Sequence, residues 1–169
     1  MRKINGFSLI EIIVVVAVMG FILTSITTVL VNSFKAKNRI NWADKVEQNG
    51  AWILSEIRKN VVNIPGDAIS YDLGDRSSIV VNNDGSTSII ECIEGDDSHI
   101  ASTSAYSARL SDNEVKVTGC SNFIESTTSP STNKVVNLKI GFSLSAGQIG
   151  GGPNDYVAKY FSSEIKIRN

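Results

Sequence analysis

Twenty consecutive residues, Ile12 to Val31, carry no charge. A helix of that length spans about 30 Å, the thickness of a bilayer's hydrocarbon core. Few other folds accommodate such a run, so a membrane-spanning helix is the first expectation. Val14-Val15-Val16 is β-branched and would weaken a helix in water. In lipid every backbone group must be satisfied within the segment, and the helix wins there. Three other readings compete. A secretory signal has an apolar core of about 7–15 residues and a small-residue cleavage site. This run is longer, and Thr24 to Thr28 offers no clear Ala-x-Ala site. A buried core helix fits poorly with so long an uncharged stretch. A plain single-pass anchor leaves Glu11 unexplained. A carboxylate entering the membrane costs roughly 2–4 kcal/mol, and such residues are usually functional.

The charge is divided as unevenly as the hydrophobicity. Of 169 residues, 16 are Lys or Arg and 17 are Asp or Glu, for a net charge of −1. Between Phe7 and Phe34 only Glu11 is charged, while Lys35 to Asn169 holds 14 of the basic and 16 of the acidic residues. The balance gives no reason to expect a nucleic-acid partner. Two cysteines and one histidine leave little for a zinc site.

Beyond Phe34 the helical pattern continues. Ala43, Val46, Gly50, Ile53, Ile57 and Val61 recur at steps of three and four, which defines one buried stripe of an amphipathic helix. Trp42 and Trp52 flank that stripe and are expected to pack. Pro65-Gly66 ends the pattern. From about Tyr71 the texture turns to short β-type runs. Ser78 to Val81 and Ser88 to Ile90 flank Asn83-Asp84-Gly85, a hairpin signal. Val115 to Val117, Val135 to Leu144 and Tyr156 to Ile167 read as further strands. The fold class is therefore α+β, a long N-terminal helix with an antiparallel sheet packed on its second half.

Cys92 and Cys120 both fall in this head. A disulfide is the natural reading if the head lies outside the cytoplasm; two buried free thiols are the alternative. The polar segment Glu94 to Gly119 reads as an excursion from the sheet. His99, in a Ser- and Asp-rich stretch, is placed on a surface loop. The glycine-rich Gly147 to Pro153 has no phosphate-loop Lys-Ser/Thr and is taken as a connection. Glu94 to Asp97 and Asn154-Asp155 are weak calcium candidates that match no EF-hand. No catalytic constellation stands out, so neither an enzyme activity, a cofactor nor a resident metal is expected.

The N-terminus adds a specific pattern. Arg2-Lys3, then Gly6-Phe7-Ser8-Leu9-Ile10-Glu11 and the apolar run resemble the class III leader of type IV prepilins and type II secretion pseudopilins. Ser8 stands where the family usually has Thr. The resemblance covers about the first 35 residues strongly and the rest only by architecture. It implies a pilin fold and a structural role. A membrane prepilin peptidase would cut between Gly6 and Phe7 and methylate the new amino group of Phe7. Residues 1–6 are then a leader, 7–34 the transmembrane and assembly half of a spine helix, 35–64 its amphipathic half, and 65–169 an extracytoplasmic head.

Glu11 becomes the fifth mature residue, four from Phe7 and on the same helix face. The resemblance implies that its carboxylate neutralises the α-ammonium of Phe7, in its own chain or a neighbour's, and sets subunit register. Implied partners are the peptidase, other pilin or pseudopilin subunits, an inner-membrane assembly platform with its ATPase, and membrane lipid before assembly. The implied location is the cytoplasmic membrane, then an extracellular or periplasmic filament. Lys35, Lys37 and Arg39 nearly balance the basic leader, so charge alone does not orient the span; the resemblance does. The family's major subunits often carry a proline where Thr28 stands here, which favours a minor subunit. The alternative is a membrane-anchored extracytoplasmic binding module that does not polymerise.

Overall fold

The computed structural model describes residues 8–62, 64–71, 77–83, 85–103, 107–128, 130, 134–147 and 156–167. One α-helix, α1 (Leu9–Val61), is followed by nine strands. The chain divides into two compact units between Asn38 and Arg39, and α1 is continuous through that point. The last turn of α1 holds Arg58 and Lys59, cations that suit the negative end of the helix dipole. Val62 still donates to the Arg58 carbonyl at 2.9 Å, and Ile64 to Val61 at 3.2 Å. Pro65, which has no N–H, cannot extend the ladder. Its carbonyl instead accepts from Ala68 at 2.9 Å, turning the chain into the first strand.

Two antiparallel sheets follow where the sequence pattern suggests one. The first is a meander of five strands in chain order: β1 (Ile69–Tyr71), β2 (Ser78–Asn83), β3 (Ser86–Ile93), β4 (His99–Thr103) and β5 (Ser107–Arg109). The β2–β3 hairpin pairs Asn83 with Ser86. Gly85 has φ +83°, a conformation glycine adopts without steric cost, as the hairpin signal requires.

The second sheet is built around β8 (Val135–Gly147). β7 (Ile124–Thr128) pairs with the first part of β8, β6 (Val115–Gly119) with its last part, and β9 (Tyr156–Lys166) with nearly all of it. Leu138, Ile140, Phe142, Leu144 and Ala146, alternate residues of β8, are all buried, the period-two pattern of a strand with one face on a core.

The core of this second unit joins the helix stripe to both sheets. Val46, Ile53, Ile57 and Val61 of α1 are fully buried in one cluster with Ile79, Ile90 and Ile100 of the first sheet and Leu138, Phe142 and Phe161 of the second. Phe142 stacks on Phe161 with centroids 5.8 Å apart and meets Phe123 at 6.3 Å. Gly50 permits this packing, because a Cβ there would run into the Phe161 ring. Ion pairs flank the stripe: Lys45 with Glu114, and Glu47 with Lys159 of β9. Asn49 accepts the Asp112 N–H at 2.8 Å.

Four expectations need correction. Ala43 is exposed, so the buried stripe begins at Val46. Trp42 is half-buried against the core, but Trp52 is 50% exposed. The Glu94 to Gly119 segment is no excursion: β4 and β5 complete the first sheet and β6 enters the second, with Ile100 fully buried. His99 opens β4 and pairs with Ile93 instead of lying on a loop. The Gly147 to Pro153 connection and the Asn154-Asp155 pair lie, apart from Gly147, outside the described residues.

Candidate functional site

The most unusual surface is the first part of α1. Every large apolar side chain from Leu9 to Phe34 is exposed, from 45% at Val31 to 76% at Leu9. Leaving a Val, Leu, Ile, Phe or Met in water forgoes about 1.5–3 kcal/mol. Summed over this helix the deficit is on the order of tens of kcal/mol, so the segment is built for an apolar surrounding. Its length and composition suffice to cross a membrane.

The hydroxyl side chains in the segment are arranged for the same surrounding. Ser25, Thr27, Thr28 and Ser33 each donate a hydroxyl proton to the carbonyl four residues back, at 2.8–3.0 Å, and Thr24 donates to Phe21 at 2.8 Å. Back-bonding of this kind leaves no hydroxyl donor unsatisfied in lipid or in a helix bundle. Gly20 has open space where a Cβ would stand.

Glu11 lies in the first turn of α1, where the helix dipole favours an anion. Its N–H donates to Ser8 O at 3.0 Å. Among the described residues nothing pairs with its carboxylate. Gly6 and Phe7, the expected cleavage and methylation positions, lie outside the described residues. Past the apolar run, Lys35, Lys37 and Arg39 are exposed and have no ion-pair partner among the described residues.

The second unit holds the other predicted residues. Cys92 of β3 and Cys120, just after β6, form a disulfide with S–S 2.06 Å and Cα atoms 5.9 Å apart. It ties the first sheet to the second. The Glu94 carboxylate accepts the Cys120 N–H. The acidic turn after it is clasped. Arg109 Nη1 donates to Asp97 Oδ1 at 2.7 Å, and this guanidinium holds the Asp97 carboxyl below its usual range. Lys116 reaches the Asp96 carbonyl at 3.4 Å. His99 Nδ1 lies 2.6 Å from the Asp97 carbonyl; a carbonyl only accepts, so Nδ1 carries the proton. Among the described residues no three His, Cys, Asp or Glu side chains converge on a metal-sized site. Sequence reasoning missed this clasp and the exposure of Trp52. The one signal for the clasp is Arg109 itself, a lone cation twelve residues from Asp97.

A helix whose apolar first part is exposed on every face with one carboxylate at its start, continued into a disulfide-tied β unit, defines a membrane-anchored protein whose helix is suited to packing with other helices. Residues 1–27 match the prokaryotic N-terminal methylation motif. Together with the long apolar helix, that motif fits the type IV pilin family, a family of structural subunits and not of enzymes. The motif implies processing by prepilin peptidase and assembly with other pilins. No curated protein and no solved structure matched the chain.

Proposed function

We propose that this chain is a structural subunit of a type IV pilus or pseudopilus, of the minor kind. The observation that carries the reading is the exposed apolar stretch of α1 with Glu11 as its only charge, most of which lies within the methylation motif of residues 1–27. The peptidase cuts after Gly6 and methylates Phe7, removing Arg2 and Lys3. Residues 7–34 then hold the subunit in the cytoplasmic membrane until a platform protein and its ATPase extract it. Residues 35–64 form the amphipathic half of the spine and 65–169 the head, which faces the extracytoplasmic side, where a Cys92–Cys120 disulfide persists.

Glu11 acts through charge. A carboxylate buried among apolar helices needs a cation, and the α-ammonium of Phe7 in a neighbouring chain supplies one at a single axial offset. Glu11 thereby sets register and does no chemistry. The absence of a proline before Pro65 supports the minor assignment.

The test has two parts. Mass spectrometry of the membrane protein should find a chain that begins at N-methylated Phe7; an intact Met1 overturns the processing step. Glu11→Ala should be cut normally yet be at least tenfold depleted from sedimented filaments, since one unpaired buried charge costs about 3–5 kcal/mol. Normal incorporation of that variant removes Glu11 from the register role. Filaments absent under every condition of expression would favour the non-polymerising binding module.

A further inference from the structure

Within the second unit, the outward side of α1 carries two complementary features. Trp52 is the largest exposed side chain there, half in water, and its indole N–H has no acceptor among the described residues. A partner that covered the ring would have to offer that N–H an acceptor. A few turns of the same helix form one wall of a shallow groove, lined by Ala51, Leu54, Ser55 and Arg58 of α1 and Ser163 of β9. The groove holds about 330 Å³, the small end of the roughly 300–1,000 Å³ range of ligand pockets. That is room for one aromatic ring system. Ala51 and Ser55 keep its rim low, and Ser55 and Ser163 give its lining two hydroxyl groups.

The two features cannot satisfy each other within one chain. At about 100° per residue, Ala51, Leu54, Ser55 and Arg58 share one stripe, and Trp52 projects roughly a third of a turn away from it. A second copy brings the missing half of each. The charges agree: Glu56, one turn from Trp52, pairs only loosely with Lys59 at 3.9 Å. Arg58, at the end of the groove, has no ion pair among the described residues and only a 3.5 Å hydrogen bond to Ser163 Oγ.

We infer that Trp52 of one subunit seats in the Ala51–Leu54–Ser55–Arg58–Ser163 groove of the next. Two different surfaces in contact make a heterologous interface, and such contacts propagate into rings or open filaments instead of closing as dimers. Central tryptophans are the commonest hot spots of interfaces. This inference rests on the proposed filament role and adds to it a contact between the amphipathic half of one spine and the spine and β9 of the next.

The test uses the full chain in its assembled form. A photoreactive phenylalanine analogue at position 52 should crosslink, in sedimented filaments, to a peptide containing Ala51 to Arg58 of a second copy. Trp52→Ala and Ser55→Trp, one removing the knob and the other filling the groove, should each weaken subunit association about thirtyfold. Both should keep the wild-type melting temperature within a few degrees and an intact disulfide, because both positions face solvent. Trp52→Phe should restore part of the association. Crosslinks that map elsewhere, or full assembly of Trp52→Ala and Ser55→Trp, overturn the contact while leaving the filament role standing. Failure of the wild type itself to sediment overturns the filament role, and this contact with it.

Discussion

The two halves of α1 belong to one continuous helix and solve opposite problems. From Arg39 to Val61 charged and polar residues break up the apolar surface, and one apolar stripe, Val46 to Val61, is buried by the protein's own sheets. From Leu9 to Phe34 they cover every face, and none is buried. A helix apolar all round must find its partner outside its own chain, in lipid or in other helices. The first half therefore contributes little to the stability of the folded head, while the second half is part of its core. Substitutions of equal chemistry in the two halves should thus have unequal effects.

The largest effect is expected from a matched pair. Ile53→Ala removes a fully buried side chain and should cost about 2–5 kcal/mol in denaturant unfolding of the full chain in detergent. Ile22→Ala removes a half-exposed one and should change that unfolding by no more than about 0.5 kcal/mol. Equal losses at both positions would break the comparison, because they would make the first half part of the same cooperative unit.

Next comes the disulfide. Cys92 and Cys120 are 28 residues apart and join the two sheets. Closing a loop of that length contributes about 3.5 kcal/mol in the chain-entropy model. The double variant Cys92→Ala with Cys120→Ala should lower the head's unfolding free energy by about that amount. It should leave insertion of the first half into membranes unchanged, as alkali extraction would read.

A smaller effect is expected at Gly50. Gly50→Ala places a methyl against Phe161, and overpacking of this kind costs about 1–3 kcal/mol. Gly20→Ala, in the first half, meets nothing within 4 Å. It should be neutral to unfolding of the head and favourable for the helix by up to about 1 kcal/mol. A shared penalty at both glycines would again contradict the division.

Much of this division was readable in the residues themselves. The uncharged run, the stripe from Val46 to Val61 and the β2–β3 hairpin signalled by Asn83-Asp84-Gly85 each depend on neighbours within a few positions, so local pattern captures them. The long alternation of Val135 to Leu144 marked the central strand for the same reason. Strands β4, β5 and β7 did not show, because Ser, Thr and Ala occupy most of their positions. Their pairing is decided by partners elsewhere in the chain, Ile93 for His99 and Lys139 for Glu125. Ala43 fits the helical period yet lies one turn before the sheets provide cover. Trp52 was misread by the opposite error: size and apolarity suggest burial, but its angle on the helix points away from the core. At the candidate site, Glu11 was legible because a single charge in such a run is conspicuous. The Arg109–Asp97 clasp was not, since nothing local in the sequence links residues twelve apart.

The smallest effect separates the halves by pH. Among the described residues every ion pair belongs to the second unit. There the Lys134 ammonium holds the Asp67 carboxyl below its ordinary value, and Arg109 does the same for Asp97. A carboxyl with a depressed value in the folded state binds its proton less readily there than in the unfolded chain. Between the two values the unfolded state holds more protons, so stability rises with pH. The contribution is complete above the unfolded value, about 3.9, and is lost as pH falls through the folded one. Lys139 works at the other end. Glu125 raises its value, so its contribution is complete below the ordinary lysine value of 10.5 and fades as pH rises beyond it. All three groups are largely exposed, so each slope is shallow. Asp97→Asn with Asp67→Asn should flatten the fall in the head's melting temperature below about pH 4 while leaving the plateau between pH 5 and 9 nearly level. An unchanged acid limb in that double variant would assign the acid sensitivity to other carboxylates of the head.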